Sequence, residues 1–383
     1  MPVVNPVLAA LPEYPIIRVE EAKRRLEQAG REVFDFGTGD PIEPTPEFIR
    51  RACAENVPAV CRYPSMRGLP ELRKAATGYL QRRFGVTLDP ETQVLPSLGS
   101  KEAIFTLPFA FLDAKGQKNT AAFPTPGYPV FEAGTLFAGG VCHGVPLVPA
   151  NRFLIEPWTF PAAVRERLAI LWINYPHNPT GALAPADYLE KIARFAAEND
   201  VVVCSDECYV DIYATERPRS LLEFGTKNIM AFFSCSKRSG MTGYRTGFMA
   251  GDAGLMKTFA KLRPNVGTAV QTFVEKAGAA AWSDDAHAAE RRALFAKKRA
   301  LFDAFFAEAR IERAGGDGTF FLWFKAPGGD AEAYASRLLE QAGIVVIPGP
   351  YFGKGGEGFC RVALVPDLKT CEKALAKWKA LPR

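Results

Sequence analysis

The sequence is poor in histidine and has no closely spaced cysteine pair. It holds three histidines and eight cysteines in 383 residues, and no two cysteines stand in a Cys-x-x-Cys arrangement. Zinc sites and disulfide frameworks both need clustered ligands or paired cysteines. The composition therefore argues against either one, and we predict buried, reduced thiols.

Long apolar runs and blocks of one charge sign are also missing. No apolar run approaches the roughly 20 residues that span a bilayer, and residues 1–11 lack the basic-then-apolar pattern of a secretory signal. Lys and Arg total 47 against 42 for Asp and Glu, a net charge of +5 spread along the chain. These features predict a cytoplasmic protein that binds small anionic ligands, with no nucleic-acid or membrane partner.

What the sequence does contain is enough apolar material for two domains, at 48% hydrophobic residues. From about residue 90, short apolar runs alternate with longer amphipathic stretches, which is typical of βαβ units. The predicted strands are 93–96, 120–123, 169–174, 201–205 and 229–234. Helices are predicted at 102–112 and 185–199.

The pattern changes near residue 280, where a long charged amphipathic stretch begins. Residues 317–383 indicate an α+β unit with strands at 319–324, 343–347 and 359–364. We therefore predict a large domain of residues 47–280. Residues 1–46 and 281–383 then form a smaller domain with an N-terminal arm.

One lysine stands among hydroxyls and glycines directly after an apolar strand, where residues 234–247 read SCSKRSGMTGYRTG. An amine whose pKa is lowered by burial or by cations is neutral enough to form a Schiff base, which suits Lys237. Ser234, Ser236 and Arg245 are suited to hold a phosphate beside it. Taken alone, such a lysine is usually a solvated surface charge.

Three further motifs follow predicted strands. Residues 97–101 (SLGSK) begin a helix whose free N–H groups favour an anion, residues 205–209 (SDECY) present Asp206 and Tyr209, and residues 174–181 (NYPHNPTG) form a rigid turn that presents Asn178. Each has an ordinary alternative: a Ser cap, a metal site or helix cap, and a plain β-to-α loop.

The order and spacing of these motifs decide between the readings. Asn-Pro-Thr-Gly, then Asp-Glu-x-Tyr, then Ser-x-Ser-Lys with Gly-x-Arg-x-Gly after it, resembles the class I/II aminotransferases of pyridoxal-phosphate (PLP) fold type I. The resemblance runs from Gly37 to Leu364. It implies an α/β fold, with a large domain around a mostly parallel seven-stranded sheet and a smaller α+β domain.

The resemblance also implies roles for individual residues around pyridoxal 5′-phosphate. Lys237 carries the cofactor and moves a proton at the substrate Cα, Asp206 pairs with the pyridinium, and Tyr209 and Asn178 reach the ring oxygen. Tyr128 stacks on the ring. The phosphate is expected to be surrounded by Gly99, Ser100, Lys101, Ser234, Ser236 and Arg245.

The same resemblance places Arg361 on the substrate α-carboxylate, assisted by Gly39 and Asn178. Tyr63 in such enzymes reaches the phosphate of the neighbouring subunit, which implies a homodimer with shared active sites. The substrates implied are amino acids and 2-oxo acids.

Among subfamilies, the chain is most similar to N-succinyldiaminopimelate aminotransferases of lysine biosynthesis. The similarity rests on residues 5–8, 11–15, 280–292, 318–323 and 346–349. It implies amino transfer between glutamate and N-succinyl-2-amino-6-oxopimelate. For the distal carboxylate, position alone suggests Arg62, Arg67 and Arg263.

Two alternatives stay open at this point, and a third is disfavoured. A carbon–sulfur β-lyase shares the lysine, aspartate and arginine, and a broad aspartate, alanine or aromatic aminotransferase shares the whole pattern. A PLP-binding transcription regulator needs an additional N-terminal DNA-binding domain, for which the first 34 residues leave no room.

Overall fold

A computed structural model describes residues 2–11 and 16–381 of the chain. Residues 12–15, part of the N-terminal motif used for the subfamily comparison, lie outside the described residues. No helix within the described ranges is long and apolar enough to cross a membrane.

The strands lie in three sheets. They are β1 (Phe34–Asp35), β2 (Val94–Ser97), β3 (Thr120–Thr125), β4 (Val141–Pro146), β5 (Leu168–Asn174), β6 (Val202–Asp206), β7 (Ile229–Ser234), β8 (Gly247–Gly251), β9 (Arg313–Ala314), β10 (Phe321–Lys325), β11 (Ile344–Val345), β12 (Ile347–Pro348) and β13 (Phe359–Ala363).

The helices cover the sheets and join their strands. They are α1 (Pro6–Ala10), α2 (Ile16–Gln28), α3 (Glu47–Ala54), α4 (Pro70–Phe84), α5 (Ser100–Thr106), α6 (Pro108–Phe111), α7 (Val130–Phe137), α8 (Ala162–Arg167), α9 (Ala186–Asn199), α10 (Cys235–Arg238), α11 (Ala253–Val266), α12 (Thr272–Ser283), α13 (Ala286–Ala309), α14 (Ala331–Ala342) and α15 (Leu368–Lys379).

The largest sheet has seven strands in the order β2-β8-β7-β6-β5-β3-β4. Strand β8 runs antiparallel to both of its neighbours, and the other pairs are parallel. Strands β5 and β7 are buried at every position, as expected where helices cover both faces. The predicted mostly parallel seven-stranded sheet is confirmed.

A second apolar cluster lies around the smaller sheet β12-β13-β10-β9. Helices α13, α14 and α15 pack against it through side chains such as Phe306, Leu338 and Trp378. The division into residues 47–280 and residues 1–46 with 281–383 stays a prediction. Most residues of this cluster come from 1–46 and 281–383, which supports the division.

The predicted helix over residues 102–112 is wrong in one respect. The chain forms α5 and then α6, because Pro108 has no N–H to continue the hydrogen-bond ladder of α5. Strands β4 and β8 were not predicted. Strand β8 begins and ends with glycine, and β4 is mostly exposed or half-buried, so neither reads as an apolar β-branched run.

Candidate active site

The carboxyl ends of β5, β6 and β7 bring Asn174 and two predicted site residues, Asp206 and Lys237, to one edge of the large sheet. Asn174 ends β5 and pairs in register with Asp206, which ends β6. Lys237 follows β7 on the single turn α10. Open α/β sheets bind ligands outside the carboxyl ends of their strands.

A cleft of about 210 Å³ opens at this edge. It is lined by residues from both the large sheet and the smaller one. They are Gly39, Ser100, Tyr128, Pro129, Asn174, Asn178, Asp206, Cys208, Tyr209, Lys237, Phe321, Phe352 and Arg361.

Asp206 is a buried carboxylate, only 3% exposed. Burial raises the pKa of Asp206 to about 6, and hydrogen bonds from Cys208 only partly offset this. The Cys208 N–H donates to Asp206 Oδ1 at 3.2 Å. Within the described part of the chain, Asp206 has no ion-pair partner, so a cationic group in the cleft would stabilise it.

Burial shifts the pKa of Lys237 in the direction opposite to that of Asp206. Burial lowers the pKa of its amine, which favours the neutral, nucleophilic form. The Nζ atom donates a hydrogen bond to the Gly39 carbonyl and lies 5.7 Å from the ring centroid of Phe320. The amine therefore lies in the cleft in contact with the backbone of Gly39, which also lines it.

Arg361 lies on β13 and reaches across to the large sheet. Its Nη1 donates to Asn178 Oδ1 at 2.9 Å, and its Nη2 donates to the Gly37 carbonyl at 2.5 Å. The guanidinium carbon lies 4.1 Å and 4.5 Å from the ring centroids of Phe321 and Phe352. These contacts hold the guanidinium in one orientation beside the cleft.

Asn174 organises the loop that carries Asn178. Its side-chain amide donates to the Asp206 carbonyl at 2.8 Å, and its Oδ1 accepts from the Asn178 N–H at 2.9 Å. Asn174 therefore links the backbone of Asp206 to the backbone of Asn178, the residue that contacts Arg361.

Arg245 lies against the turn that begins α5. Its Nη2 donates to the Leu98 carbonyl at 3.0 Å, and its Nη1 donates to the Thr242 carbonyl at 2.9 Å. Gly99 has a φ of +70°, and a Cβ there would lie 2.6 Å from Arg245 Nη2. Only glycine allows the guanidinium to approach this turn so closely.

The other residues predicted to surround the phosphate lie at two places, the start of α5 and the start of α10. Ser100 begins α5 and lines the cleft, whereas Lys101 is exposed beside it. The Ser234 Oγ accepts from the Ser236 N–H at 3.2 Å, and both serines are buried at the start of α10.

Tyr128 and Tyr209 both line the cleft. Tyr209 is held edge-on against Phe320 and Phe321, each with a centroid distance of 5.5 Å. Tyr63 is fully exposed and is not part of the cleft of its own chain.

The residues present fit the cofactor that the sequence implies. A buried carboxylate without an ion-pair partner among the described residues matches a pyridinium nitrogen. A lysine with a lowered pKa matches an aldehyde, and a guanidinium at the turn that begins α5 matches a phosphate. The structure thus brings Asp206, Lys237, Asn178 and Arg361 together in one cleft.

The sequence analysis missed several groups that line or support the cleft, and it placed one arginine wrongly. The Gly37 carbonyl, Cys208 and Phe352 were not singled out, and only the position of Cys208 inside the SDECY motif offered a signal. Arg263 is wrong as a substrate contact, because it is 1% exposed and its Nη1 lies 3.4 Å from Glu102. Arg67 contacts Glu91 at an exposed position, and both Arg62 and Arg67 stay predictions.

Comparisons with known proteins agree with this geometry. A family model described as aminotransferase class I and II matches residues 31–377. An LL-diaminopimelate aminotransferase from Desulforudis audaxviator is 36% identical over 92% of this chain and 91% of its own length.

Two solved structures have similar folds over almost their whole length. An aminotransferase from Neisseria meningitidis is 32% identical, with a TM-score of 0.90 and coverage of 98% of this chain and 99% of its own. BacF from Bacillus subtilis is 27% identical, with a TM-score of 0.91 and coverage of 99% and 98%.

Proposed function

Since this chain belongs to the class I and II aminotransferases and uses pyridoxal 5′-phosphate to exchange amino groups between amino acids and 2-oxo acids, we propose that it acts on diaminopimelate in lysine biosynthesis. Glutamate is the proposed amino donor in the direction of synthesis. The observation that carries the chemistry is the cleft that joins Asp206, Lys237 and Arg361.

The proposed mechanism assigns one task to each side chain. When bound, pyridoxal phosphate supplies an electrophilic carbonyl and an electron-withdrawing ring. Asp206 keeps the ring nitrogen protonated, because the buried carboxylate is stabilised by that cation. Lys237 carries the cofactor and then moves a proton at the substrate Cα as general base. Arg361 and Asn178 orient the α-carboxylate so that this proton faces Lys237.

The substrate proposal rests on relatives named LL-diaminopimelate aminotransferase. Two of them, from Desulforudis audaxviator and Syntrophobacter fumaroxidans, are 36% and 35% identical over 92% and 98% of this chain. They support free LL-diaminopimelate as the first candidate. The N-succinylated compound predicted from the sequence is the second, supported by the resemblance of residues 280–292 and 346–349.

A homodimer with shared active sites is also proposed. Tyr63 is fully exposed, and Val57 and Val60 on the same segment are 56% and 73% exposed. Burial of this segment against a second copy would cover these side chains and carry Tyr63 to the partner's phosphate group. Cytoplasmic location stays a prediction.

A substrate panel tests the proposed function. Holoenzyme is mixed with LL-diaminopimelate, N-succinyl-LL-diaminopimelate, glutamate, aspartate, alanine and phenylalanine, and discharge of the cofactor is followed by single-turnover absorbance. We expect glutamate and one diaminopimelate compound to discharge it fastest, and the faster of the two compounds identifies the substrate. Discharge by aspartate, alanine or phenylalanine alone contradicts the diaminopimelate proposal. Pyruvate release from cystathionine without discharge identifies a β-lyase.

Replacing Arg361 with lysine tests the carboxylate site. Lysine keeps the charge but loses the two-pronged geometry, so we expect kcat/KM for glutamate to fall about 10²-fold, mostly through KM. Steady-state kinetics measure this. Arg337→Lys, on an exposed position of α14, is the matched control and should leave kcat/KM unchanged. Equal kinetics in the two variants would remove Arg361 from the substrate site.

A further inference from the structure

The residue after Lys237 is a deeply buried arginine. Arg238 is 4% exposed, and its guanidinium is surrounded by acceptors from two parts of the chain. An arginine has five N–H donors in a rigid planar fork. A buried charge of this kind is costly unless all of its donors are used.

One side of the fork contacts Asp211, in the segment after β6. Arg238 Nε donates to Asp211 Oδ2 at 2.8 Å. Arg83 Nε and the Tyr79 hydroxyl, both on α4, donate to the same carboxylate at 3.0 Å and 2.9 Å. Burial raises the pKa of Asp211, but Arg238 and Arg83 outweigh it and hold that pKa below its ordinary value.

The other side contacts the junction between α12 and α13. Nη1 donates to the Ala281 carbonyl at 2.7 Å, and Nη2 donates to the Asp284 carbonyl at 3.0 Å and to Asp285 Oδ1 at 2.6 Å. His287 Nε2 lies 3.3 Å from Nη1.

His287 extends this contact to the next residue of the lysine segment. Its Nε2 lies 2.9 Å from Ser239 Oγ, and its Nδ1 lies 2.6 Å from Asp284 Oδ1. The α12–α13 junction therefore holds both Arg238 and Ser239, the two residues that follow Lys237.

The turn that carries Lys237 has little structure of its own. Helix α10 is four residues long, and Gly240 directly after Ser239 has a φ of +66°. Inside this short segment, Ser234 caps Ser236 and the Ser239 N–H donates to the Cys235 carbonyl at 2.9 Å. So short a helix is held in place by tertiary contacts more than by its own hydrogen bonds.

We propose that Arg238 is a positioning residue for Lys237. Its fork ties the lysine-bearing turn to α4 through Asp211 and to the start of α13 through Asp285, so that the Lys237 amine stays buried and aimed at the reacting carbon. A displacement of about 1 Å at such a group can lower the rate about 10²-fold. This inference rests on the proposed role of Lys237.

The test compares Arg238→Gln with two other variants. Asp285→Ala removes one of the ion pairs of Arg238, at a half-exposed carboxylate, and leaves the buried guanidinium in place. This variant therefore tests the proposal even if Arg238→Gln does not fold. Arg82→Gln is the matched control, because Arg82 contacts Asp285 and the Trp282 carbonyl but not the lysine turn.

The main readout is the pH midpoint of the absorbance of the bound cofactor, which a purely structural role would not move. Loosening the turn admits water to the Lys237 nitrogen that holds the cofactor, and water stabilises its protonated form. We therefore expect the midpoint to rise by about one unit in Arg238→Gln and by less in Asp285→Ala. We expect kcat to fall about 10- to 100-fold with KM for glutamate nearly unchanged. Arg82→Gln should match the wild type in both.

An unchanged midpoint in Arg238→Gln and Asp285→Ala, with activity lost only in proportion to unfolded protein, would overturn the inference. Borohydride reduction and peptide mapping of the wild type separate this result from failure of the proposed function. A cofactor attached to a residue other than Lys237 would refute the proposed function itself.

Discussion

Lys237→Ala is expected to lower kcat for amino transfer by at least about 10⁴-fold, the largest effect of any single change considered for this protein. The substitution removes both the covalent attachment of the cofactor and the base that moves the proton at Cα. Burial lowers the pKa of this amine, which favours the neutral form that both roles need. Stopped-flow absorbance with glutamate measures the loss directly.

Two further variants control for charge and for nonspecific damage. Lys237→Arg keeps a cation but has no amine that can attack a carbonyl, so it should be as inactive as Lys237→Ala. Lys276→Ala removes an exposed lysine that pairs with Glu71 and should retain full activity. Amino transfer by Lys237→Ala within about tenfold of the wild-type rate would show that another group carries the chemistry.

The apolar strands of the large sheet could be predicted because a continuous apolar run is typical of a strand that is covered on both faces. The predicted strand at 229–234 matches β7 at both ends, β5 begins one residue earlier than predicted, and β6 is shifted by one residue at each end. Strand β8 was missed because two of its five residues are glycine. Its place comes from pairing with β2 and β7 on either side, which local sequence does not encode.

The site residues also divide into those that local sequence predicts and those that depend on distant parts of the chain. Asn178, Asp206 and Lys237 each follow a parallel strand at a recognisable motif, so sequence spacing predicts that they meet at one sheet edge. The cradle of Arg361 could not be predicted, because the Gly37 carbonyl lies 324 positions away along the chain. Arg263 was misjudged for the related reason that its ion-pair partner, Glu102, lies 161 positions away along the chain.

Asp206→Asn is expected to lower kcat/KM about 10³-fold, an effect typical of removing one electrostatic stabiliser. Asparagine has nearly the same shape but no charge, so it cannot keep the ring nitrogen of the cofactor protonated. The cofactor should also bind more weakly. Steady-state kinetics and equilibrium titration of the apoprotein with pyridoxal phosphate measure the two effects. Asp206→Glu keeps the charge and should lose less than Asp206→Asn.

The same substitution should stabilise the apoprotein, in a way that depends on pH. The folded pKa of Asp206 is about 6, above the unfolded value of about 3.9, so the folded state binds more protons between these values. Wild-type apoprotein therefore loses stability as pH rises through this window, by about 3 kcal/mol above pH 6. Urea unfolding of apo Asp206→Asn and wild type should differ by an amount of this order at pH 8 and converge near pH 4. Equal stabilities at pH 8 would mean that the cleft already supplies a cation to Asp206.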